Sequence, residues 1–72
     1  MFREVPIHGE TIRLGQLLKL VGAIDSGSEA KAFLAGESVW VNEQQETRRG
    51  RQLRVGDTVR VGEQQLQVTA RL

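Results

Sequence analysis

The chain has no cysteine, so neither a disulfide nor a thiolate metal site braces it, which fits a reducing compartment. It has no tyrosine, a single tryptophan, a single proline and a single histidine. No apolar run approaches the length that spans a bilayer. Charges at Arg3 and Glu4, with no apolar stretch around them, do not read as a signal peptide, and a cytoplasmic location with no membrane partner is expected. Catalytic groupings are also missing. There is no Ser-His-Asp set, no paired carboxylates, no metal-ligand cluster and no glycine-rich phosphate loop at strand-to-helix spacing. His8 falls in a His8-Gly9 turn and reads as a solvated side chain. Neither an enzyme nor a cofactor or metal site is expected.

At 72 residues the chain makes one small domain, 1–72. Such a chain buries only about 60% of its unfolded surface, so its stability rests on one compact apolar core. The most informative stretch runs from Ser26 to Asn42. Ser26 and Glu29 have capping-box spacing, in which hydroxyl and carboxylate each satisfy a free amide at a helix start. Ala30, Phe33 and Leu34 follow at helical spacing, and Gly36 marks a stop. The period then switches to two in Val39-Trp40-Val41, a strand ending at Asn42.

Around this stretch, Phe2, Val5 and Ile7 alternate weakly, and Pro6 demotes the segment to an edge strand or extended arm. Thr11 is placed to cap a first helix whose Leu14, Leu17, Leu18 and Val21 form one face and which Gly22 ends. The short Ala23-Ile24-Asp25 connector forces the two helices to be neighbours. Phe33 and Leu34 are expected against Leu17, Leu18 and Val21. Glu43 to Glu46 reads as a polar turn and Thr47 to Arg51 as a loop. Leu53 and Val55 restart an apolar period, Val55-Gly56-Asp57 turns, and Thr58 to Val61 and Gln65 to Thr69 form a hairpin across Gly62-Glu63-Gln64. The expected fold is α+β: two short packed helices followed by a small, mainly antiparallel sheet.

The net charge is +1, but the charges are unevenly distributed. From Thr47 to Gly56 there is no acid, while Arg48, Arg49, Arg51 and Arg54 crowd the segment. Arg13 and Lys19 on the first helix and Lys31 on the second lie off the apolar stripe. Guanidinium groups match phosphate oxygens as planar forks, and arginines on a flexible loop can follow an irregular polyanion. A solvated charged loop is the plainer account of such a segment, and composition alone favours it.

The order of motifs adds a second argument. Leu17-Leu18-Lys19, then Ser26-Gly27-Ser28-Glu29-Ala30-Lys31, then Val39-Trp40-Val41-Asn42, then Glu46-Thr47-Arg48-Arg49, with Gly56-Asp57 before a strand, resembles the S-four RNA-binding domain, named after a bacterial ribosomal small-subunit protein. The likeness covers about residues 12 to 68 and is greatest to the small stand-alone bacterial proteins of that type. It implies a non-catalytic module that recognises structured RNA, ribosomal or transfer, largely by shape. On this resemblance the RNA surface is the helix pair and the following loop: Arg13, Lys19, Ser26, Lys31, Arg48, Arg49 and Arg51, on a ribosome-associated monomer. Ser26 is first a helix cap and second a phosphate contact. The chain has Gly15 and Gly27 where the wider family usually has Asp and Arg. The family's Val-Asn-Gly turn reads Val41-Asn42-Glu43, so either Glu43 is strained or the turn is longer and spreads over Gln44 and Gln45.

Two rival readings remain. One is a protein-interaction or carrier domain with a ubiquitin-like sheet, although a Thr69-Ala70-Arg71-Leu72 end lacks the Gly-Gly that carrier activation needs. The other is an accessory subunit of an RNA-modifying enzyme. Trp40 points opposite to Val39 and Val41; covering the second face of a thin sheet is favoured over stacking on a base.

Overall fold

Alternation at the start of the chain produces strand β1, Phe2–Ile7, which buries Val5 and Ile7 and leaves Pro6 exposed. The computed structural model describes residues 2–36 and 39–71. After β1 come β2 (Thr11–Arg13), helix α1 (Leu14–Leu20), a 3-10 turn (Gly27–Glu29) and helix α2 (Ala30–Gly36). The remaining strands are β3 (Val39–Val41), β4 (Gln44–Gln45), β5 (Gln52–Arg54), β6 (Thr58–Val61) and β7 (Gln64–Ala70). Five strands form one sheet in the order β1-β7-β6-β3-β4, and β2 pairs with β5 in a separate ribbon. All pairings are antiparallel except β1 with β7. The expected α+β class and mainly antiparallel sheet are both found. β1 is an edge strand, the position where a proline that cannot donate to the ladder does least harm.

One face of the sheet carries Val5, Ile7, Val39, Val41, Val59, Leu66 and Val68. Against it pack Leu14, Leu17 and Leu18 of α1 and Ala30 and Leu34 of α2, all buried. Phe33 is half-buried at the edge of this core rather than inside it. Gly22 adopts φ +81° and ends α1, its amide bonding the Lys19 carbonyl while the Ala23 amide reaches back to Leu18. That double bond is the glycine-terminated cap expected of the position.

Local details differ from the sequence reading in four places. Thr11 does not cap α1; it lies in β2 opposite Arg54, and Arg13 occupies the cap position, its amide reaching the Gln16 side chain at 3.4 Å. The Ser26 hydroxyl bonds Ser28 at 2.9 Å instead of a helix amide, and Glu29 accepts from the Asp25 amide at 3.4 Å, so two flanking turns replace the capping box. The reason is the 3-10 start, which displaces the amides that a Ser26 cap would meet. Gly36 is the last residue of α2 and does not enter the left-handed region. Val55 lies in the expected turn after β5, but it is exposed there and does not extend the apolar period of Leu53.

The turn after β3 takes the tight form and not the longer one. Asn42 and Glu43 have φ of 49° and 70°, and β4 begins at Gln44. Both signs are those of the two-residue hairpin turn that matches strand twist. Asn42 anchors it: its amide bonds the Thr58 carbonyl, its Oδ1 accepts from the Thr58 amide at 2.9 Å, and its Nδ2 donates to Asp57 at 3.2 Å. Asp57 in turn accepts from the Arg54 amide at 2.8 Å, so a single polar knot ties the β3–β4 and β5–β6 turns together.

Candidate nucleic-acid interface

Between β4 and β5 the chain runs across the start of α1. The Leu14 amide donates to the Arg51 carbonyl at 2.8 Å and the Gly15 amide to the Arg49 carbonyl at 2.9 Å. The first amides of a helix have no partner of their own, and here the arginine loop supplies it. Gly15 lies at the point of closest approach, with room for a Cβ and little more. A Cβ there would stand 3.4 Å from Ala30 Cβ, Arg49 Cβ and the Arg49 carbonyl. Helix α1, helix α2 and the loop therefore meet at one glycine.

The loop holds its shape through Glu46, the only charged residue buried among those described. Its carboxylate accepts from the amides of Thr47 and Arg48, both at 3.1 Å. It also accepts from Arg48 Nε at 3.0 Å, Arg48 Nη2 at 3.2 Å and Arg51 Nη1 at 2.9 Å. The Arg48 fork, aided by that backbone amide and by Arg51, holds the Glu46 carboxyl down at about pKa 2 against the opposing effect of burial. The same pairing raises the Arg48 guanidinium above its ordinary value.

The sequence reading expects these arginines on a flexible loop. The structure corrects that: the loop is braced from within and docked on α1. Arg48 and Arg51 share one carboxylate, yet Arg48 keeps 73% of its side chain exposed. Two guanidinium groups on one carboxylate leave the loop cationic. Among the described residues, Arg13, Lys19, Lys31 and Arg49 are exposed and make no ion pair.

These cations stand on the elements that meet at this junction. Arg13 pairs with Gln52 in the β2–β5 ribbon and precedes the amide bound by Arg51. It belongs to β2 and the cap of α1 rather than to the helix proper. Lys31 follows Ala30, the residue packed on Gly15, and Lys19 lies one helical turn beyond Gly15 on the same side of α1. Ser26 stands apart from this group: it is half-buried, with its hydroxyl engaged by Ser28.

Sequence reasoning misses two residues of the junction. Arg54 is exposed opposite Thr11, diagonal to Arg13 on the same face of the ribbon. Its membership of the acid-free segment is the available signal. Glu46 reads as part of a polar turn, although it opens the Glu46-Thr47-Arg48-Arg49 signature.

The arrangement is that of a small α+β domain with an arginine loop docked on the start of its first helix. The S4 (S-four) domain family matches residues 5–69, and the chain belongs to that family. It is also similar to the probable ribosome maturation protein RlbA of Bacillus subtilis strain 168, with 48% identity over 61 residues, 85% of this chain and 86% of the relative. The resemblance carried by the ordered motifs is thus borne out. No helix among the described residues is long and apolar enough to cross a membrane.

Proposed function

We propose that this protein is a non-catalytic RNA-binding module that recognises structured RNA through Arg13, Lys19, Lys31, Arg48, Arg49 and Arg51. The observation that carries the reading is the docking of the arginine loop on α1 through the Leu14 and Gly15 amides, with Glu46 fixing the loop from inside. Holding the guanidinium groups in place before binding lowers the ordering cost that a free loop would incur. Arg48 and Arg51, held by Glu46, and the fixed loop backbone suit the shape-based recognition that folded RNA requires.

The relative's name, a ribosome maturation protein, supports ribosomal RNA over transfer RNA as the partner. A role at the ribosome implies a cytoplasmic protein, and a monomer is proposed with it. The S4 family match gives no support to a ubiquitin-like carrier.

The test is binding of ribosomal RNA fragments by wild type and by a variant with Arg48, Arg49 and Arg51 changed to Ala. Each phosphate that the variant leaves unneutralised should lower the salt slope by about 0.7–0.9. Unchanged affinity and slope in a folded triple variant would remove this surface from consideration. Recovery of the protein from extract in a nuclease-resistant complex with a larger enzyme would instead favour the accessory-subunit reading.

A further inference from the structure

The five-stranded sheet has a second face, turned away from the helices. Its register places one residue from each strand in a row across it: Phe2 opposite Gln65, Gln65 opposite Arg60, Arg60 opposite Trp40, and Trp40 opposite Gln45. The guanidinium carbon of Arg60 lies 5.1 Å from the centre of the Trp40 ring, stacking distance for a cation over an indole. Phe2 is 50% exposed. Between these groups lies a shallow cleft of about 310 Å³, lined by Phe2, Trp40, Glu43, Arg60 and Gln65 among others.

We propose that this cleft is a slot for one unpaired RNA base, inserted between the Phe2 ring and the Arg60 guanidinium. The proposal takes RNA as the ligand, as above, but concerns the opposite side of the domain from the helix–loop surface.

Phe2 and Arg60 stand on β1 and β6, two strand spacings apart, or roughly 9.6 Å. A flat ring held between two side chains needs two contact distances, about 7–8 Å. The strand spacing is of the order one base needs, with Gln65 on the strand between. Phe2 offers an aromatic face, and Arg60, already backed by Trp40, offers a guanidinium plane; RNA-binding proteins use both to stack splayed-out bases. Gln65 forms the floor, and its amide carries the donor and acceptor pair that a base edge can meet. Glu43 on the rim sets a negative charge near Arg60, which disfavours a phosphate in the cleft and leaves a neutral planar group as the better occupant. Among the described residues Arg60 makes no ion pair that would occupy its guanidinium.

Because the chain has one tryptophan and no tyrosine, the emission of Trp40, which lines the cleft and lies under Arg60, reports on the slot. The experiment titrates the protein with a pentamer of adenylate and with the abasic pentamer of the same backbone, following Trp40 emission. The adenylate pentamer should quench the emission, and the abasic one should not. F2A, and F2L if F2A does not fold, should weaken the adenylate pentamer roughly five-fold or more with an unchanged salt slope. The R48A/R49A/R51A variant should keep the quenching even where it no longer binds ribosomal RNA. Equal response to the abasic pentamer, or full affinity in the folded Phe2 variant, overturns the slot. Absence of quenching while ribosomal RNA still binds wild type also overturns the slot and leaves the helix–loop surface standing. The reverse result keeps the slot and removes the other surface.

Discussion

The Gly15 amide donates to the Arg49 carbonyl at 2.9 Å, so the first turn of α1 and the tip of the arginine loop form one unit. The absence of a side chain at Gly15 sets how closely they approach, because a Cβ would only just fit between Ala30 and Arg49. Alanine should be tolerated: the helix gain of up to about 1 kcal/mol is offset by crowding at 3.4 Å. Leucine should displace the loop, costing about 1–3 kcal/mol and weakening RNA binding with no charge removed. Urea unfolding and an RNA titration on G15A and G15L check both halves. Equal RNA affinity in the two variants would mean that docking of the loop does not matter for binding.

Glu46 gives the domain an acid-sensitive brace. Its folded pKa of about 2 lies below the ordinary carboxylate value of 4.5. A group depressed in this way contributes stability that is fully present above its unfolded pKa and is lost as pH falls through the folded one. Wild-type stability should therefore fall between about pH 4.5 and pH 2 by more than that of E46Q, whose amide does not titrate. At neutral pH, E46A should cost about 1–3 kcal/mol, since it leaves the Thr47 and Arg48 amides and two guanidinium groups without their acceptor. Chemical unfolding of the three proteins across that pH range gives the comparison, and parallel wild-type and E46Q curves would count against the brace.

The turn between β3 and β4 carries strain that a single change relieves. Glu43 sits at φ 70°, where a side chain bearing Cβ costs about 1–2 kcal/mol. E43G should stabilise the domain by about 1 kcal/mol, less the entropy that glycine loses on folding. N42A should destabilise it by about 1–3 kcal/mol, because it cuts the bonds to Thr58 and Asp57 that join two turns. Thermal melts of both variants decide the matter.

What the sequence alone makes legible is what periodicity and order encode. The Leu14, Leu17, Leu18 stripe, the Val39 and Val41 pair, and Gly22 as the end of α1 follow from spacing and side-chain type, and the structure has them as expected. The Ser26 capping box is not legible in the same sense. Its spacing is right, but a 3-10 turn intervenes, and whether a helix begins as α or 3-10 depends on packing rather than on the four residues concerned. The β2–β5 ribbon escapes a sequence reading because each strand turns a single apolar residue inward, Ile12 or Leu53, so no alternation shows, and only tertiary pairing makes Thr11–Arg13 a strand. The role of Glu46 is hidden for a related reason. A glutamate in a polar run looks solvated until the loop folds back over it.

The two exposed neighbours in the loop separate charge from architecture. Arg48 commits Nε and Nη2 to Glu46, whereas the Arg49 side chain makes no ion pair among the described residues and only its carbonyl is used, by Gly15. R49A should therefore leave stability within about 0.5 kcal/mol of wild type, because surface substitutions away from structural features rarely do more. It should still lower the salt slope of RNA binding by about 0.7–0.9, one phosphate contact. R48A should reduce both stability and affinity, since it removes a cation and loosens the brace together. Adding R54A to R49A tests the edge of the surface: Arg54 lies diagonal to Arg13 on the β2–β5 ribbon, and a second equal drop in slope would extend the RNA footprint along it. If R49A keeps the wild-type slope, the exposed cation at the point where the loop meets α1 makes no contact with phosphate and drops out of the proposed surface.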